Sequence, residues 1–177
     1  GYDFDDYWED SGTIRSLYET NLALARSGAK FNFYDPQRPI YTNPRFLPGS
    51  TVENSSLENV LLAEGCYIKD AQIRNSVIGL RSQVQSGVKV FDCILMGSDY
   101  YQQPSTNDSL PALGIGSNSH IEGAIIDKNA RIGSDVTILP FPPGTEIDQD
   151  YYFVRDGIVV IPKNGVIESN TYIGPNR

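Results

Sequence analysis

The sequence is poor in the side chains from which most enzyme sites are built: one histidine, two cysteines, one methionine and one tryptophan among 177 residues. With His120 as the single imidazole, a metal centre made of several histidines, of the carbonic anhydrase kind, is excluded. No serine sits in a nucleophile-elbow pattern, and no Walker-type or dinucleotide-binding glycine loop occurs. No apolar run is long enough to span a bilayer. Positive charge is also short. Fourteen Lys and Arg face twenty-two Asp and Glu, and the net charge of −8 argues against nucleic acid and anionic membranes as partners. Cys66 and Cys93 stand among apolar neighbours and read as small core side chains in a reducing compartment, with a disulfide or a reactive thiol as the alternative. The length suits one ordinary domain with appended pieces. A chain that opens at Gly1, without Met or a secretory leader and at once strongly patterned, is expected to be part of something longer.

What the sequence does have is a period. Aliphatic residues return every five or six positions at Val52, Leu57, Leu62, Ile68, Ile73, Ile78, Val84, Val90 and Leu95, and again at Ile115, Ile121, Ile126, Ile132 and Ile138. The set Val52/Leu57/Leu62 repeats sixteen residues later as Ile68/Ile73/Ile78. A half-buried strand steps by two and a helix face by three and four, so neither explains this spacing. A hexapeptide repeat does: each hexad gives a short strand and a corner, and three hexads make one coil of a parallel β-helix. Stacking at roughly 4.8 Å per coil merges the inward rows into one aliphatic core. The fold class is therefore mainly β, with Gly and small polar residues at the corners; a β-sandwich of short strands is the alternative.

Residues 1–30 read as the loop and helix that end a preceding domain. Asp10 to Thr13 offer capping oxygens, and Ile14, Leu17, Tyr18, Leu22 and Ala25 give an apolar helix stripe to about Arg26, stopped by Ser27-Gly28. Residues 31–48 form an aromatic linker cut by prolines into extended pieces. Residues 49–177 carry the coils, interrupted by a polar, turn-rich loop at 98–112 and again at Pro140 to Gly144.

Three places could hold chemistry. Trp8 lies beside Glu9 and Asp10 just before a helix N-terminus, where Asp10 is either a helix cap or a ligand for a divalent ion holding phosphates. Lys128 and Lys163 each stand two residues after an inward aliphatic, Ile126 and Ile161, so they share one corner position. Their separation of 35 residues corresponds to about two coils, on the order of 10 Å along the axis. Arg45 enters the first coil and can approach the same edge. These cations are either an anion site on an acidic protein or three solvated surface charges. His120, next to inward Ile121, points outward, as a solvated or interface histidine or as a general base.

The strings YWEDSGTIRSLYETNLAL, FYDPQRPIYTNPRFLP, SVIGLRSQV, ILMGSDYY, LGIGSNSHIEGAIIDKNARIG and DGIVVIPKNGVI resemble glucose-1-phosphate adenylyltransferase (ADP-glucose pyrophosphorylase) of the cyanobacterial and plant type, over nearly the whole chain. The resemblance implies a Rossmann-like nucleotidyltransferase domain, of which residues 1–30 are the end, followed by a left-handed parallel β-helix for regulation and oligomerisation. It implies a parent enzyme that makes ADP-glucose and pyrophosphate from ATP and glucose 1-phosphate with Mg2+, for glycogen or starch, as a homo- or heterotetramer in bacterial cytoplasm or plastid stroma. The fragment alone is not expected to catalyse this. Residue by residue, Asp10 matches the family's magnesium-binding aspartate and Trp8 its active-site tryptophan. Arg45, Asp127, Lys128 and Lys163 match an effector pocket for a 3-phosphoglycerate-like activator and the inhibitor phosphate. Pro162 and residues 140–150 depart from the family's pattern. The rival functions are a hexapeptide acyltransferase with His120 as base and a non-catalytic β-helix scaffold.

Overall fold

The structure, a computed structural model, describes residues 10–103 and 109–176. Trp8 and the rest of the segment before Asp10 lie outside the described residues. From Thr51 onward the chain winds as a parallel β-helix with three walls. The first wall stacks Val52, Ile68, Val84, Ile115, Ile132 and Ile167 as successive partners. The second stacks Leu57, Ile73, Val90, Ile121, Ile138 and Ile173. The third stacks Leu62, Ile78, Leu95, Ile126 and Ile161. The sixteen-residue offset is the observed register, since Val52, Leu57 and Leu62 pair with Ile68, Ile73 and Ile78.

From Ile68 onward every residue of these rows is at most 4 % exposed, and Cys66 and Cys93 are buried among them as free thiols. Val52 and Leu57 are the exception, at 41 % and 36 %, because among the described residues no coil covers the first one. The corners are made less by glycine than expected. Asn54, Asp70, Asn118, Asp135 and Asn170 after the first wall, and Asn59, Asn75 and Asp92 after the second, take left-handed backbone angles. Asn and Asp tolerate that region better than other side chains, and here they also bond along the stack. Asn54 Nδ2 donates to Asp70 Oδ1 at 2.7 Å and Ser86 Oγ to Asp70 Oδ2 at 2.9 Å.

Two interruptions leave the coil. The first follows Leu95 and returns at Gly114–Ile115. The second follows Ile138 and folds back on itself, Ile147–Asp148 pairing antiparallel with Phe153–Arg155, and that strand with Ile158–Ile161. It is an excursion within one coil, so Ile161 completes the turn begun by Ile132 and lies directly beside Ile126. The expected separation of two coils between Lys128 and Lys163 is thereby corrected to one. About half of the 34 intervening residues, 139–157, are spent in the excursion rather than in winding.

The helix Ile14–Leu24 starts at Thr13, whose Oγ accepts the Ser16 N–H at 3.1 Å, and ends at Ala25, one residue short of the expected Arg26. It lays Ile14, Tyr18 and buried Leu22 on the outside of the third wall, against Ile94, Ile125, Ile158 and Val160. That wall is apolar on both faces, which is why its strands read as unbroken pairs such as Ile94-Leu95 and Ile125-Ile126 rather than as alternation. Tyr18 Oη donates to the Asp92 carbonyl at 2.6 Å, and Arg15 pairs with Asp156 in the hairpin excursion. The linker that follows has no helix or strand and leaves Tyr34, Tyr41 and Phe46 exposed.

Candidate functional site

The third corner of the coil is a column in which each turn contributes a different residue: Glu64, Leu80, Gly97, Lys128, Lys163. The column is fixed by backbone bonds from Arg81 N–H to the Glu64 carbonyl, Ser98 to Leu80, Asn129 to Gly97 and Asn164 to Lys128, at 2.8 to 3.1 Å. Lys128 and Lys163 are therefore vertical neighbours about 4.8 Å apart in backbone spacing. Their ammonium groups share one carboxylate. Lys128 Nζ lies 2.9 Å from Asp99 Oδ1 and Lys163 Nζ 3.5 Å from Asp99 Oδ2.

Asp99 is held from below by Asn129, a buried side chain. Asn129 Oδ1 accepts the Asp99 N–H at 2.8 Å, and its Nδ2 donates to Asp99 Oδ2 at 3.1 Å. The Lys128 bond first, then the Asn129 bond, draw the Asp99 carboxyl down to about 2. Asp127 turns its carboxylate back on the chain, accepting the Lys128 N–H at 2.6 Å. The described segment of the first interruption lies over this corner as a strap. Tyr101 Oη reaches the Gly65 carbonyl at 2.8 Å, and Arg81 Nη1 donates to the Ser98 carbonyl at 3.1 Å with its guanidinium 5.9 Å from the Tyr101 ring centre. Gln102 Oε1 accepts from Leu113 N–H at 2.7 Å and from Arg131 Nη1 at 3.3 Å. Sequence reasoning placed Asp99 in a loop and missed it; the signal was its place directly after Gly97-Ser98, the column positions that Lys128-Asn129 occupy one coil on.

The other candidates are not brought to this point. Arg45 is exposed and makes no hydrogen bond or ion pair among the described residues. Leu47 packs beside Gly65 at the first coil, so the linker meets the same column three coil spacings, roughly 14 Å, from Lys128. Asp10 is exposed and its Oδ1 accepts the Gly12 N–H at 2.9 Å, while Thr13 caps the helix. Among the described residues no three His, Cys, Asp or Glu side chains converge as a metal site. His120 points outward as expected, yet its Nε2 is buried without a hydrogen bond, 3.5 Å from a Glu122 oxygen, and its ring stacks edge-on against Phe91 at 5.5 Å. That nitrogen is not presented to a substrate as a base would be. No helix among the described residues is long and apolar enough to cross a membrane.

Stacked hexads, an aliphatic interior and one corner that gathers charge rather than nucleophiles define a hexapeptide-repeat β-helix protein. Residues 45–172 match the GLGC left-handed parallel beta-helix domain, and the chain belongs to that family. The domain is found in the C-terminal region of glucose-1-phosphate adenylyltransferase. Its left hand is opposite to that of ordinary parallel crossovers, whose right hand follows from a right-twisted strand feeding a right-handed helix.

Proposed function

We propose that this chain is the regulatory and oligomerisation part of a glucose-1-phosphate adenylyltransferase subunit, the parent enzyme making ADP-glucose and pyrophosphate from ATP and glucose 1-phosphate for glycogen or starch. In this reading the Lys128/Lys163 corner receives an anionic effector, a phosphorylated three-carbon acid as activator or phosphate as inhibitor. The parent works as a tetramer in bacterial cytoplasm or plastid stroma, and its Mg2+ would offset charge on the reacting phosphates, with Asp10 among the residues around it. The supporting observation is the geometry of the two lysines: adjacent coils, one corner position, both ammonium groups within 3.5 Å of a single carboxylate. A phosphate or carboxylate group is of the size that such a pair holds.

Phosphate titration of the chain by calorimetry tests this. Lys128→Ala and Lys163→Ala should each weaken binding about ten- to a hundredfold, the value of one charge-assisted contact. Lys69→Ala, an exposed lysine on the first wall, should leave it unchanged. In the parent enzyme the same two substitutions should raise the activator concentration required while leaving unactivated turnover near normal, because an effector shifts an equilibrium only by its differential affinity for two states. Equal binding by all three variants rejects the anion site.

A further inference from the structure

The corner that looks ready for an anion already contains one, since Asp99 sits between both lysines. We propose that Asp99 is a tethered competitor that sets the selectivity of this corner, rejecting monoanions and admitting only ligands that carry more than one negative charge. The inference rests on the anion-site reading above and adds what decides among anions.

Its basis is the way the carboxylate is supplied. Lys128 and Lys163 come from the coil itself, whereas Asp99 comes from the strap. The strap is anchored at the Asp99 backbone by buried Asn129 and farther on by Tyr101 at Gly65 and Gln102 at Leu113. A group held in this way has an effective concentration at its partners of millimolar order or above. A free carboxylate or chloride brings the same single charge without the tether, so it does not displace Asp99. A phosphate dianion does, because it offers each lysine more charge and presents further oxygens to the same two ammonium groups and to Asn129 Nδ2. The carboxyl is held well below the ordinary carboxylate range, so the competitor stays charged throughout the neutral range. Displacing it also frees Ser98 to Gln103 from one of its anchors, so ligand entry is coupled to the position of the strap.

The experiment compares inorganic phosphate and acetate as probes for the intact chain and its Asp99→Asn and Asp99→Ala variants, by calorimetry at fixed ionic strength, with circular dichroism confirming the fold of each. In the starting protein phosphate should bind and acetate should neither bind nor compete. In both variants phosphate should bind about tenfold more tightly, and acetate should now compete with it. If Lys128→Ala weakens phosphate binding but neither Asp99 variant strengthens it or admits acetate, the lysine site stands and the competitor is rejected. If phosphate binding in the Asp99→Asn protein is indifferent to a second Lys128→Ala or Lys163→Ala substitution, the anion-site reading fails, and the competitor with it.

Discussion

The interior of the coil and its third corner follow the same register yet hold opposite kinds of residue. On the inner rows, each turn puts an aliphatic side chain where the last turn put one, and from Ile68 to Ile173 they are almost wholly excluded from solvent. At the third corner, each turn puts a different residue: acid, leucine, glycine, lysine, lysine. Stacking demands sameness inside, because a change of volume or charge has no room to relax. Outside, it tolerates anything whose backbone can turn. A repeat fold can thus carry a site only where the repeat is broken in chemistry but kept in geometry, and the Lys128–Asp99–Lys163 cluster is such a place.

The largest effects should come from breaking the interior. Ile73→Asp places an unpaired carboxylate at a fully buried position and should cost about 3–5 kcal/mol, a large part of a domain's stability, or prevent folding. Val52→Asp makes the same change in the same register on the open first coil and should cost under about 1 kcal/mol, since that side chain is already 41 % exposed. Urea unfolding measures both. Equal costs would show that the first coil is covered in solution. Next in size is the outer face of the third wall. Leu22→Ala should cost about 2–3 kcal/mol, less than a deep-core truncation, because the helix rests on the coil without being enclosed by it. It should also speed tryptic cleavage at Arg26, an assay that separates release of the helix from unfolding of the coil.

The same contrast explains what was legible in the sequence. The inward rows were readable to the residue, because burial admits few side-chain types and the spacing repeats. The shared corner position of Lys128 and Lys163 was readable for the same reason, as an offset from Ile126 and Ile161. Their vertical distance was not, since a sequence does not say whether residues 139–157 wind another coil or fold back as a hairpin. Asp99 was hidden for a related cause: a strap pinned through Asn129, Gly65 and Leu113 has no period of its own, and its partners are distant in sequence. Arg45, grouped with the lysines because it enters the first coil near the same edge, stays exposed, and it is Leu47 of the linker that meets the column, at its other end.

The smallest effect concerns how acid acts on the two regions, and its sign can be worked out. The Asp99 carboxyl is lowered in the folded chain from 3.8 to about 2, chiefly by Lys128 and then by Asn129. A lowered carboxyl adds stability above its unfolded value and loses it as pH falls through the folded one, because in that window the unfolded chain binds the proton first. The loss therefore falls between about pH 4 and pH 2. Asp99→Asn should flatten the fall of Tm with acid over that range and run parallel to the starting protein above pH 5. Part of the slope must remain, since Asp156, lowered by the Gly144 N–H and then by Arg15, and Asp70, lowered by Asn54 and Ser86, are also held below the ordinary carboxylate value. The groups are solvent-exposed, so the difference should be small and should shrink with added salt. Ile138→Val is the interior counterpart: losing one buried methylene costs about 0.5–1.5 kcal/mol and involves no proton, so its Tm should sit below that of the starting protein by an offset that acid does not change. If the Asp99→Asn profile is offset in that parallel way too, the corner carboxylate is packed like the interior and is not held by charge.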